Sequence, residues 1–136
     1  MAKQIQRFDW ALFFLRLGLG IVFTFVFGWH KVAAGAAKWE KLGESMHYIG
    51  ITWRPSLWGF MAMLTEFAGG ICLLLGILVR PVSILLLFVM FMATMASIHN
   101  GKGFADLTEI IEISGALICL LLLGGGKLGL RYFIGK

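Results

Sequence analysis

Five ionisable residues fall inside or at the edge of long apolar stretches: Arg16, Glu66, Glu109 and Glu112, with Asp106 at the margin. A charge at the centre of a bilayer costs about 2.5 to 3.5 kcal/mol on insertion scales, so such groups pair, line a cavity or carry protons. Glu109 and Glu112 stand three apart and share one helical face. Two carboxylates so close call for a shared proton or a basic partner. His30, Lys31 and His99 reach the same level at the ends of their own stretches and are the candidate partners. At a rise of ~1.5 Å per residue, Arg16 lies about 9 Å in from one end of its stretch and Glu66 about 15 Å in from the opposite end of the next. A buried Arg16–Glu66 ion pair is therefore expected, each charge offsetting the other's desolvation. The expected site is an outward-opening polar pocket with Glu66 at its floor. His30, Lys31, His99, Glu109 and Glu112 stand at its mouth, placed to bind a small polar group or carry protons.

Other chemistries fit less well. His30 and His99 could ligate haem, but both lie at chain-segment ends and there is no CxxCH attachment motif. His99, Glu109 and Glu112 suit zinc or iron in ligand type, but their spacing is unspecific, so no metal is expected. Met90, Met92 and Met95 read as adaptable packing rather than a copper ladder. The run Gly124-Gly125-Gly126-Lys127 is no phosphate-binding loop, because Leu121 stands at the first glycine position and Leu128 at the Ser/Thr position. Cys72 and Cys119 form no CxxC and read as small core residues in the cytoplasmic half. No nucleophile–base–orienter triad is present, so catalytic residues are left unassigned.

The elements that must position these groups are membrane helices. The chain has 136 residues, 60% of them hydrophobic and 14% charged, with a mean hydropathy of +0.89. Apolar stretches run over residues 10–29, 56–79, 82–99 and 107–123, each near the ~20 residues a bilayer span needs. They are apolar nearly all round, unlike helices of a soluble bundle. The first is too long for a signal peptide, whose apolar region has about 7–15 residues, and Arg16 interrupts it. The prediction is a single all-α domain over residues 1–136, an integral membrane four-helix bundle with antiparallel neighbours. Gly18, Gly20, Gly69 and Gly70 would let its helices approach closely.

Between spans one and two, residues 36–49 place Trp39, Leu42, Met46 and Ile49 at spacings of three and four, with Lys41, Glu44 and Ser45 outward. That pattern predicts a short amphipathic helix at the membrane interface. Gly50 should end it, and Pro55 should open the second span. Arg80-Pro81 should form a tight turn and residues 100–103 a short loop, while Trp10, Trp29, Trp53 and Trp58 mark the membrane boundaries. One side collects Lys3, Arg7, Arg80, Lys127, Arg131 and Lys136. The other has Lys31, Lys38, Lys41, Arg54 and Lys102, diluted by Glu40 and Glu44. Both termini are thus expected in the cytoplasm. The net charge of +5 suits contact with anionic lipid headgroups. It does not indicate nucleic acid, because the basic residues are scattered over helix ends without stacking aromatics.

Several of these residues form a recognisable pattern. Arg16-Leu17-x-Leu19-Gly20 and Gly28-x-x-Lys31 stand in the first span, and Met46-x-x-x-Gly50-Ile51 precedes the second. Glu66-Phe67-x-Gly69-Gly70-x-x-Leu73-x-x-Gly76-x-x-x-Arg80-Pro81 follows, then an apolar third span ending in His99 and the exit Gly124–Gly126. In this the chain resembles the DoxX family of small four-helix membrane proteins, the Glu-x-x-Gly-Gly…Gly…Arg-Pro block being the most specific part. The family often has Gly-Pro-Gly at the exit, where this chain has Gly125 in the middle. The resemblance implies a bacterial inner-membrane protein of a family linked to redox physiology, some of whose DoxD-type members look like subunits of a thiosulfate:quinone oxidoreductase.

The leading expectation is a quinone-linked or oxidoreductase-complex subunit, non-catalytic by itself, with quinone the candidate cofactor and membrane or peripheral redox proteins the candidate partners. A quinone headgroup needs donors for its carbonyls and apolar walls for its tail. The alternatives are a non-enzymatic membrane partner or assembly protein, docking through residues 36–49, and a small transporter or channel subunit, which would need a homo-oligomer to enclose a lumen.

Overall fold

Hydrocarbon offers backbone groups no hydrogen-bond partners, so an apolar stretch crossing it satisfies them as a helix. The protein, as a computed structural model, is described over residues 1–130 and 134; Arg131 and Lys136, counted above toward orientation, lie outside the described residues. Among the described residues five helices build it: α1 (Ala2–Ala34), α2 (Ala36–Gly43), α3 (Pro55–Leu75), α4 (Val79–His99) and α5 (Phe104–Leu123). No strand occurs among the described residues. α1, α3 and α4 are each long and apolar enough to cross a membrane. α5, with 20 residues, is nearly as long as α3 and α4 but carries Asp106, Glu109 and Glu112 in its first half. The result is the expected all-helical membrane bundle.

Helix ends follow local chemistry. α1 begins at Ala2, earlier than its apolar run, because Lys3, Gln4, Gln6 and Arg7 are compatible with helix outside the hydrocarbon. Within it, Val22–Gly28 winds as a π-helix, so the faces on either side are not in simple 3.6-residue register. Gly50, at φ 85°, ends the 3-10 turn Glu44–Ile49 that follows α2, and Pro55 opens α3, both as expected. The turn between α3 and α4 falls earlier than expected. Gly76 stops α3 in the left-handed region and Leu78 adopts a second positive φ. Arg80 and Pro81 consequently lie in the first turn of α4, where a missing N–H leaves no helical bond unmade.

α3 packs between α1 and α4, and α5 packs on α4. α5 also touches α1, but along Ala2–Ile21 rather than the later half. Phe23 of α1, Leu73 of α3, Leu86 of α4, and Leu117 and Leu120 of α5 meet in a fully buried core. Gly20 and Gly70 bring α1 and α3 together, since a Cβ at Gly70 would sit 2.6 Å from the Thr24 nitrogen, and Gly69 faces Val82 and Leu86 of α4. Gly18 serves no such approach; it faces open space. Phe14, Phe25, Ile84, Ile111 and Leu122 point outward, the surface a lipid-embedded bundle presents.

The segment expected as an amphipathic helix at the interface is clamped to the bundle. α2 crosses the first turns of α3 with Gly43 against the Pro55 carbonyl and Gly59 against the Trp39 backbone, so two chains meet with no side chain between them. Trp39 Nε1 donates to the Lys31 carbonyl at 3.0 Å, and its ring meets Phe60 edge-on at 5.3 Å.

Candidate functional site

Glu66, in the middle of α3, is buried, and it accepts a hydrogen bond and ion pair from Lys31 Nζ. Side chains on a helix lean toward its N-terminus. Lys31, near the C-terminal end of α1, therefore reaches back into the bundle. Glu66, on the antiparallel α3, leans the opposite way to meet it. The same rule carries Arg16 away from Glu66, toward the end of the bundle that holds the N-terminus. The expected Arg16–Glu66 pair does not form. Arg16 is buried at the α3–α4 turn, where Nη2 donates to the Leu128 carbonyl at 3.1 Å. Its guanidinium packs against Gly76, Gly125 and Gly129, with Nε and Nη1 lacking an acceptor. Asp9 braces the same segment by accepting from the Lys127 backbone N–H at 3.1 Å.

The Lys31–Glu66 pair lines a cavity of about 780 Å³ enclosed by α2, the turn that follows it, α3, α4 and the end of α1. Its walls are apolar, built by Met61, Leu85, Phe88, Val89 and Met92. Met61, Leu85 and Phe88 are also about half exposed, so the cavity opens sideways between α3 and α4. Toward α2 its lining turns polar with Lys38, Lys41, Ser45, Trp58 and Asn100. Lys41 and Ser45 thus border the cavity rather than facing away from it, while Glu44 is exposed as expected. The Trp58 indole N–H is buried without an acceptor.

The remaining expected site residues are not brought to this cavity. Glu109 and Glu112 are exposed on α5 and make no ion pair among the described residues. Depth along the helix was read from the sequence, but rotation about its axis was not: Ile110, Ile113, Leu117 and Leu120 take the packed side, which leaves both carboxylates outside. His30 is exposed, and so is His99, whose ring stands edge-on to Tyr48 at 4.1 Å. No group of three or more His, Cys, Asp or Glu is assembled for a metal among the described residues. Cys72 is part-buried beside the core, but Cys119, expected inside, is exposed.

Lys38, Lys41, Trp58 and Thr65 are cavity residues that sequence reasoning passed over. A signal existed for two of them: Lys38 and Lys41, three apart on an amphipathic segment, share one face. Trp58 gave none, since its type and position equally suit a boundary tryptophan.

Chemically, the site offers an ammonium and a carboxylate at the floor of an apolar space, with further donors at its α2 end. It suits a molecule with a polar head and an apolar body. No curated protein and no solved structure matches the chain. The family model DoxX matches residues 11–100, a stretch that contains the whole cavity lining and stops short of α5. A membrane bundle with this match across about two thirds of its 136 residues belongs to the DoxX family.

Proposed function

We propose that the protein is a redox-associated subunit of a membrane oxidoreductase complex, and that its cavity holds the headgroup of a lipid-soluble quinone. The observation that carries this reading is the Lys31–Glu66 pair at the floor of a sideways-open apolar cavity. Lys31 supplies a hydrogen bond to a quinone carbonyl, which has acceptors and no donors. Glu66 gives or takes the proton that accompanies the quinone's redox change, a task that requires a carboxylate screened from water. The tail leaves through the opening between α3 and α4. On this reading the electrons come from a partner redox protein. Counted on the sequence, six Lys and Arg on the side expected to carry both termini, against five diluted by Glu40 and Glu44 on the other, support a bacterial inner-membrane orientation with both termini cytoplasmic.

The test is equilibrium binding of a short-tailed quinone analogue to the purified protein in lipid nanodiscs. Glu66→Gln keeps side-chain volume and removes the charge, and it should weaken binding at least tenfold. A folded Glu66→Gln protein that binds as the parent does would sink the assignment.

A second reading, a non-enzymatic membrane partner, draws on a different observation. Glu109 and Glu112 lie exposed on a membrane-length helix with no ion pair among the described residues, which suits a helix of another subunit carrying basic residues. On this reading a complex survives in the Glu66→Gln variant and is lost on neutralising α5.

A further inference from the structure

We infer that the α2 end of the cavity is a binding subsite for an anionic phospholipid, whose phosphate is held between Lys38 and Lys41. The inference rests on the cavity being a ligand site, and not on that ligand being a quinone.

The charge balance at this end carries the argument. Three lysines line the cavity, Lys31, Lys38 and Lys41, against one carboxylate, Glu66. Lys31 takes that carboxylate, and neither Lys38 nor Lys41 has an ion-pair partner among the described residues. Glu40 and Glu44, the acids nearest in sequence, are exposed and do not line the cavity. Two uncompensated ammoniums thus stand at the rim of an apolar space. Trp58 adds a buried indole N–H with no acceptor. It lies in the first turn of α3, hence at the level of the rim and above Glu66 by two helical turns. Indole nitrogen is a donor only. Apart from the Asn100 amide, which can both donate and accept, the unsatisfied groups around the rim are donors, and their complement is an acceptor-rich anion.

Shape narrows the anion to a lipid. The rim leads directly to the half-exposed Met61 and Phe88 on the bilayer-facing flank, so a molecule seated there has apolar surface to lay against them. The helix that carries the lysines is fixed in place. α2 is held on α3 by the glycine contacts at Gly43 and Gly59 and on α1 by the Trp39–Lys31 hydrogen bond, so backbone ordering adds little to the cost of seating the phosphate.

Native mass spectrometry from mild detergent, with phosphatidylglycerol and phosphatidylcholine offered at equal amounts, tests this. The parent protein should retain phosphatidylglycerol in preference. Lys38→Gln/Lys41→Gln should reduce that retention roughly 30-fold, the factor that two lysines at a membrane surface contribute to holding anionic lipid. Lys102→Gln, an exposed lysine in the loop at the same end of the bundle that does not line the cavity, should leave it unchanged. Equal retention of both lipids, or an unchanged double variant, overturns the subsite. Displacement by millimolar glycerol phosphate alone assigns the rim to a free phosphate ester and overturns the lipid. The quinone reading is separable: Glu66→Gln should lose the quinone analogue and keep phosphatidylglycerol, while the double lysine variant should do the reverse.

Discussion

Lys31 and Glu66, 35 residues apart in the chain, form the one ion pair among the described residues, and it closes the floor of the cavity between α1 and α3. Each residue is held by the lean of its own helix, so the pair is a consequence of antiparallel packing as much as of charge.

Breaking this pair from one side leaves the other charge stranded. Lys31→Met should destabilise the protein by about 3–5 kcal/mol, whereas Lys31→Met/Glu66→Leu should recover most of the loss. Thermal unfolding in a constant detergent reads both. Equal destabilisation by the single and double variants would falsify a direct pairing.

The Gly43–Gly59 crossing makes a second prediction. A Cβ at Gly59 would lie 2.8 Å from the Trp39 Cα, and one at Gly43 would lie 2.9 Å from the Gly59 nitrogen. Backbone atoms do not move aside cheaply. Gly59→Ala should cost about 1–3 kcal/mol and lift α2 from α3, with a red shift in tryptophan emission as Trp39 loses its packing. Gly18→Ala, in open space, should leave melting temperature and emission where they are.

Arg16 acts on the opposite end. Arg16→Leu removes its hydrogen bond to the Leu128 carbonyl, worth about 1.5–3 kcal/mol for a charged donor. Amide hydrogen exchange in residues 124–129 should accelerate in this variant. Quinone-analogue affinity should stay within about twofold, because Arg16 contributes nothing to the cavity lining. A large loss of affinity would restore Arg16 to the site.

Glu109 and Glu112 predict an effect outside the monomer. Glu109→Leu/Glu112→Leu replaces two exposed carboxylates on a membrane-length helix by apolar groups, so the purified protein should melt no lower than the parent. In native membranes the same variant should migrate on a non-denaturing gel at a smaller mass, having lost its neighbour. A complex of unchanged mass would leave α5 without a partner role.

Much of this fold was legible in the residues. Apolar length gave the four long helices and Pro55 gave the start of α3, whereas Lys31, expected at the mouth of the pocket, reaches down to Glu66 at its floor. The Arg16–Glu66 pairing fails because rise along a helix sets the depth of a residue but not the direction of its side chain. The direction in which each side chain leaves its helix reverses between antiparallel neighbours, and that decides which charge reaches which. Rotation was the other hidden variable. The apolar residues of α5 surround it almost evenly, so no amphipathic stripe announced which side would face α4, and Glu109 and Glu112 were drawn inward on depth alone. The clamp at Gly43 and Gly59 was equally silent, since two glycines 16 positions apart signal a backbone crossing only once both helices are in place.

That clamp also governs how a ligand is counted. With α2 fixed over one end and the ion pair closing the floor, the cavity opens on the flank between α3 and α4, where a membrane-dissolved ligand can enter. Occupancy then follows the ligand's mole fraction in the bilayer, not its concentration in water. An affinity expressed per volume of buffer should drift with the lipid-to-protein ratio, and a long-tailed ligand should look tighter than a short-tailed one merely by partitioning into the membrane. Expressed per lipid, the two should converge on the affinity of the headgroup.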